Sequence, residues 1–266
     1  MANNEDNLLR IGIFQPNIVW ADIEKNHEKT ESLISSLNGL PDLLVLPEMY
    51  STGFLQNPGI VPDKLLKKQF NWQASISKRN SMAVCGSIIE KFRGQYYNRW
   101  YITYPDGKLG YYDKRHLFEI GGEGEWFSKG KKRVVFSMGQ WILMPQICYD
   151  LRFPVWSRNN LGYNMLIYSA NWPASRIEAW ETLLKARAIE NQCYVVGVNR
   201  TGTDGNAVEY NGNSAVYGPD GKTIVHLGNQ EIYATAELSL DKLINFRKSF
   251  PALSDADKFK INTREQ

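Results

Sequence analysis

Of the three cysteines in this chain, one is placed to react. Cys148 closes the apolar run Trp141-Ile142-Leu143-Met144-Pro145-Gln146-Ile147 and is followed at once by Tyr149-Asp150-Leu151-Arg152-Phe153-Pro154. A thiol at a strand end stands at the mouth of a sheet, where open α/β folds collect their reactive groups. Cys85, within Met82 to Ile89, and Cys193, within Cys193 to Val198, sit inside apolar runs and read as inert core residues. A cysteine nucleophile needs a base for its proton and a cation or dipole for the oxyanion it creates. The histidines are poor candidates for that base. His27 falls on an apolar step of a helix, His226 lies inside Thr223-Ile224-Val225-His226, and His116, the best placed, follows Asp113-Lys114-Arg115. Glu48 comes directly after Leu43-Leu44-Val45-Leu46-Pro47, and a glutamate buried behind an apolar strand can act as base instead. Lys114 lies in Tyr111-Tyr112-Asp113-Lys114-Arg115-His116-Leu117-Phe118, where aromatic neighbours could bury an ammonium beside an acid. Each of these also has an ordinary reading as a solvated loop side chain.

The elements that would carry them follow from periodicity and turn chemistry. Leu9 to Phe14 reads as a strand, Asp22 to Leu37 as a helix, Leu43 to Leu46 as a buried strand and Asp63 to Arg79 as a second helix. Strands at Met82 to Glu90, Gln95 to Thr103 and Lys108 to Tyr112 complete a first half, the last two joined at Pro105-Asp106-Gly107. The order then recurs: strand Trp141 to Ile147, helix Val155 to Leu161, strand Met165 to Tyr168, helix Arg176 to Gln192, and strands Tyr194 to Asn199, Asn213 to Tyr217 and Lys222 to Leu227. A second Pro-Asp-Gly-Lys turn, at Pro219, occupies the matching place. The spacing predicts a pseudo-twofold internal repeat. Two mixed sheets, each with helices on one face, would bury their bare faces against each other as an α+β four-layer α-β-β-α sandwich. Glu48, Cys148, Asn171-Trp172-Pro173 and Asn199-Arg200 would all fall at strand ends.

Bulk properties narrow the classes. The 266 residues are expected to form a single domain, 1–266. Its 31 basic and 28 acidic residues are interspersed, and the net charge of +3 has no concentrated stripe, which argues against nucleic acid as a partner. The polar start Met1 to Asp6 has no signal-like character, and no apolar stretch is long enough for a bilayer. Scattered cysteines without Cys-x-x-Cys or His/Cys clusters fit a reducing, cytoplasmic setting and no metal.

Taken together, Leu46-Pro47-Glu48, Asp113-Lys114-Arg115-His116-Leu117-Phe118 and Cys148-Tyr149-Asp150-Leu151-Arg152-Phe153-Pro154 resemble, in order and spacing, the Glu-Lys-Cys triad of the nitrilase superfamily of carbon-nitrogen hydrolases. The resemblance runs from Ile11 to about Ser254. It implies the same sandwich, a homodimer, no cofactor, and Glu48, Lys114 and Cys148 as catalytic residues. Asn171-Trp172-Pro173, the segment Trp180 to Gln192, and Phe250 to Asp257 look most like bacterial omega-amidases, which deamidate 2-oxo acid amides such as 2-oxoglutaramate. The implied reaction is hydrolysis of a small-molecule amide through a cysteine thioester, with the Tyr149 N–H joining Lys114 at the oxyanion. Other amidases, nitrilases and carbamoyl hydrolases share the triad. A Cys-His-Asp hydrolase using His116 and a catalytically silent scaffold are the further alternatives.

A second family glutamate falls among Glu119, Glu123 and Glu125, with Glu123 favoured by its spacing from Lys114. Arg99, Arg152, Arg176 and Arg200 could receive a substrate carboxylate, and Trp126, Phe127 and Trp172 could wall the pocket. Val155 stands where many relatives carry an acid.

Overall fold

The computed structural model describes residues 7–262, so the polar start from Met1 to Asp6 lies outside the described residues. The first sheet is built on β1 (Leu8–Gln15), β2 (Leu43–Val45) and β3 (Ala83–Phe92), which run parallel to one another. β4 (Gln95–Thr103) and β5 (Leu109–Asp113) extend it antiparallel. The second sheet has β6 (Phe136–Met138) antiparallel to β7 (Trp141–Ile147), which is followed in parallel by β8 (Met165–Ser169) and β9 (Tyr194–Val198). A small hairpin of β10 (Thr201–Thr203) and β11 (Glu209–Asn211) comes next. Then β12 (Ala215–Tyr217) and β13 (Thr223–His226) complete the second sheet, antiparallel. β14 (Ile232–Ser239) returns to the first sheet and pairs antiparallel with β1.

The sheet orders, β14-β1-β2-β3-β4-β5 and β6-β7-β8-β9-β12-β13, match strand for strand in direction of pairing. The two Pro-Asp-Gly turns join β4 to β5 and β12 to β13, with Gly107 and Gly221 at φ +86° and +79°. That left-handed conformation is why glycine follows aspartate there.

Side-chain alternation sorts each strand between two cores. Ile11, Ile13, Leu43, Val45 and Cys85 point inward, where they meet Leu143, Ile147 and Ile167 of the other sheet. Phe14, Leu44, Val84 and Ile88 point outward onto Ile34 of α1 (Ile23–Ser36) and Ile76 of α2 (Asp63–Arg79). The second sheet is covered by α4 (Ile177–Asn191), whose Trp180 and Leu184 press so closely on Gly197 that an added Cβ there would lie 2.3 Å from Leu184. Helix, sheet, sheet and helix thus form four layers.

The expected helix from Val155 to Leu161 is shorter. α3 spans only Pro154–Ser157, because the Asn159 side chain bonds both the N–H and the carbonyl of Tyr163 and Gly162 turns left-handed at φ +71°. The sequence reading assigned nothing to β6, the β10–β11 hairpin, β14 or α5 (Leu240–Ser249). α5 begins at Ser239, whose hydroxyl accepts from Lys242 N–H, and Arg247 fastens it by donating to the carbonyls of Gln192 and Tyr163.

Candidate active site

The ends of β2, β7 and β8 meet at one place. Each carries a candidate residue, Glu48, Cys148 or Asn171, shortly after the strand ends, and two of these exits bend sharply. Cys148 itself has φ +44°, and Met49, following Glu48, has φ +43°. Non-glycine residues rarely hold this left-handed conformation, and such kinks gather at sites where a side chain must be aimed. The Cys148 turn is fixed by Asp150. One carboxylate oxygen accepts from the Ile147 N–H and the Tyr112 hydroxyl, and the other from the N–H and Nδ1 of His116. A single buried acid therefore ties the cysteine turn to the segment that carries Lys114.

Lys114 is buried, and its Nζ lies 2.7 Å from Oε1 of Glu48 and 2.8 Å from Oε2 of Glu123. Between the two acids, Asn98 of β4 uses both amide hydrogens, donating to Oε1 of Glu48 at 2.7 Å and Oε1 of Glu123 at 2.9 Å. Asn98 is itself oriented by the Ser87 hydroxyl on its carbonyl oxygen. The other Glu48 oxygen accepts from the Asn171 N–H at 2.9 Å, and the Asn171 amide donates back to the Glu48 carbonyl. Cys148 Sγ reaches the Asn171 carbonyl at 3.7 Å. Asn199 then clamps the next residue, accepting from the Trp172 N–H and donating to its carbonyl.

Electrostatics follow from this burial. Burial works against the Lys114 charge, yet the Glu123 and Glu48 carboxylates outweigh it and hold the ammonium above its ordinary range. Burial raises the Glu123 carboxyl, opposed by Lys114 and reinforced by Glu48. Burial pushes the Cys148 thiol well up, the neighbouring Glu48 adds to this and Lys114 opposes it, so the resting sulfur keeps its proton.

These groups form the floor of a cavity of about 540 Å³. Phe54, Phe118, Trp172 and Tyr210 supply aromatic walls, and Arg152 and Arg176 stand at its side. Glu48, Lys114, Cys148, Tyr149 and Trp172 all border it, and Glu123 lies behind Lys114. The other two glutamates are elsewhere: Glu119 is exposed and paired with Lys129, and Glu125 is exposed.

Several expectations are corrected. Trp126 is 44% exposed and Phe127 packs in a core with Leu117, and neither borders the cavity. Arg99 is bound by Asp113 at 2.6 Å, and Arg200 is buried behind Tyr210, bonding the carbonyls of Thr201 and Ile18. His116 stacks on Phe153 and serves Asp150, away from the cavity. Sequence reasoning missed Asn98 and the bonding role of Asn171. A signal for Asn98 was present, since asparagine disfavours strands and sits here in the middle of Gln95–Thr103.

Comparison with known proteins matches the carbon-nitrogen hydrolase family over residues 10–248. The chain is 41% identical to omega-amidase YafV of Yersinia enterocolitica over 254 residues, covering 94% of this chain and 98% of that one. It is 33% identical to 2-oxoglutaramate amidase of Bacillus subtilis over 253 residues, covering 93% and 97%. Among solved structures, XC1258 of Xanthomonas campestris, a CN-hydrolase superfamily protein with an arsenic adduct in its active site, aligns with a TM-score of 0.89 at 37% identity, covering 96% of this chain and 99% of that one.

Proposed function

The chain belongs to the carbon-nitrogen hydrolase family, and on that premise we propose that it cleaves the terminal amide of small 2-oxo acid monoamides such as 2-oxoglutaramate, giving the carboxylate and ammonia. The observation that carries this reading is one cavity floor on which Cys148, Glu48 and Lys114 converge, with the lysine held between two buried carboxylates. The relatives' names point to the same substrates.

Glu48 takes the Cys148 proton as sulfur bonds to the amide carbon, and the carbonyl electrons move to oxygen. Lys114 and the Tyr149 N–H receive that oxyanion. The C–N bond then breaks, and Glu48 returns the proton to the departing nitrogen, so that ammonia leaves and a thioester remains on Cys148. Water attacks next, Glu48 takes its proton, the C–S bond breaks and the thiol is restored as the carboxylate departs. Glu123 and Asn98 position Lys114 and Glu48 through the contacts described above. No step calls for a cofactor.

The unit is one catalytic domain, and we infer that it works as a homodimer. Val155 of α3, Ile189 of α4 and Phe250 at the end of α5 are 57%, 50% and 64% exposed and leave apolar surface for a second copy. Among the described residues no helix is long and apolar enough to cross a membrane, and the three free, buried cysteines suit a reducing cytoplasm.

The test is ammonia release across 2-oxoglutaramate, glutamine, asparagine, simple amides and nitriles. The expected result is a preference for the 2-oxo acid amide, with Cys148→Ala inactive. A Cys148→Ala protein that keeps most of its turnover would end this mechanism, and a preference for nitriles would move the reaction to another branch.

A further inference from the structure

Two guanidinium groups border the cavity without an ion-pair partner among the described residues. Arg152 Cζ lies 5.1 Å over the Trp172 ring, and Arg176 Cζ lies 5.5 Å over the Phe118 ring. A guanidinium stacked on an aromatic face keeps its N–H edge for an acceptor, and its planar fork matches a carboxylate. The other cavity acid that could have claimed one of them, Asp204, is occupied by the Tyr210 hydroxyl and the N–H groups of Asn206 and Val208.

The two arginines differ in what they join. Arg152 belongs to the same turn as Cys148 and folds back onto a wall next to it. Arg176 comes from the segment before α4 and crosses to Phe118, on the side that carries Lys114. The Phe118 N–H donates at 2.7 Å to Oε2 of Glu123, the oxygen that also meets Lys114 Nζ at 2.8 Å. At its base Arg176 is pinned to the cavity wall, since Trp172 Nε1 donates to its carbonyl at 2.8 Å. A guanidinium without an ion-pair partner thus borders the cavity from a fixed backbone, next to the Phe118 ring.

We propose that Arg176 is the specificity-determining residue that receives the carboxylate at the end of the substrate remote from the amide, through two parallel N–H···O bonds. This deepens the amidase reading above and rests on it. A 2-oxo acid monoamide would lie with its amide on the floor at Cys148, its chain between the aromatic walls and its carboxylate at Arg176. Amides lacking that charge would bind without this anchor.

The experiment compares ammonia release from 2-oxoglutaramate and from 4-oxopentanamide, the same chain with methyl in place of the carboxylate, in the full-length protein. In Arg176→Gln, the ratio of kcat/KM for the anionic over the neutral amide is expected to fall about 30-fold, mainly through KM. Arg176→Lys, with charge but no fork, should fall between the two. An unchanged ratio in Arg176→Gln overturns the assignment, and so does a larger fall in Arg152→Gln. If the unaltered protein releases ammonia from neither compound, the amidase reading fails, and the assignment fails with it. If it releases ammonia from both at equal efficiency, only the carboxylate anchor is refuted.

Discussion

The arrangement around Lys114 is costly to break, because its ammonium is the only cation within reach of the buried Glu48 and Glu123 side chains among the described contacts. Removing one partner from a buried charge cluster leaves the others uncompensated, at a cost of about 3–5 kcal/mol. Lys114→Met is therefore expected to lose about that much stability in urea denaturation, and also to lose on the order of a hundredfold or more in rate as an oxyanion donor disappears. A variant of unaltered stability would mean that the two acids find other partners or stay protonated. Combining Lys114→Met with Glu123→Gln should recover part of the loss, since one buried charge is then gone. At this scale the sequence was informative about reactive types: Cys148, Glu48 and Lys114 were candidates from their neighbours, and the family resemblance joined them and added Glu123. Asn98 was passed over although an asparagine inside a strand is itself a signal; what no local pattern announces is its bridging of two acids 50 and 25 residues away.

At the scale of elements, the packing of α1 on α2 hides a titratable group. His27 of α1 stacks on Trp72 of α2 at 4.0 Å, and its Nε2 lies 2.8 Å from the Ser51 hydroxyl. Burial lowers it from 6.5 to about 4, against the pull of Glu31 and Glu24. The folded state thus resists taking the proton that the unfolded chain accepts. This stability is complete above pH 6.5 and is lost as pH falls toward about 4. The full contribution is at most about 3 kcal/mol. Urea midpoints at pH 7 and 4.5 should fall less in His27→Gln than in the unaltered protein, and an equal fall would show that His27 stays uncharged or is solvated. The boundaries of α2 and β4 agreed with their periodicity, Asp63–Arg79 and Gln95–Thr103. α3 did not, since Asn159 and Gly162 stopped it through side-chain bonding that competes with the helix. β14 was unread because its register comes from β1, more than 200 residues earlier in the chain, as in Leu8 opposite Ser239.

For the whole molecule, the homodimer is tested by replacing exposed apolar side chains on the second-sheet side. Ile189→Glu with Phe250→Glu should shift sedimentation to the monomer, since like charges in an apolar interface are costly to bury. Sedimentation that stays dimeric places the interface elsewhere. An unaltered protein that sediments as a monomer removes the dimer altogether. By itself the sequence suggested the reactive types and the layers: a thiol at one strand end, an acid behind another, a lysine among aromatics, and the repeated order of strands and helices. These are properties of residue type and short-range period, set within a few positions. Only the tertiary structure decided which groups share a cavity. Glu48 meets the Asn171 backbone across 123 residues, and Arg176 reaches Phe118 from the opposite half. Arg99 and Arg200 are turned to other partners. Those choices depend on how two sheets stack and twist, which sums contacts over the whole chain and leaves no mark in any one stretch of it.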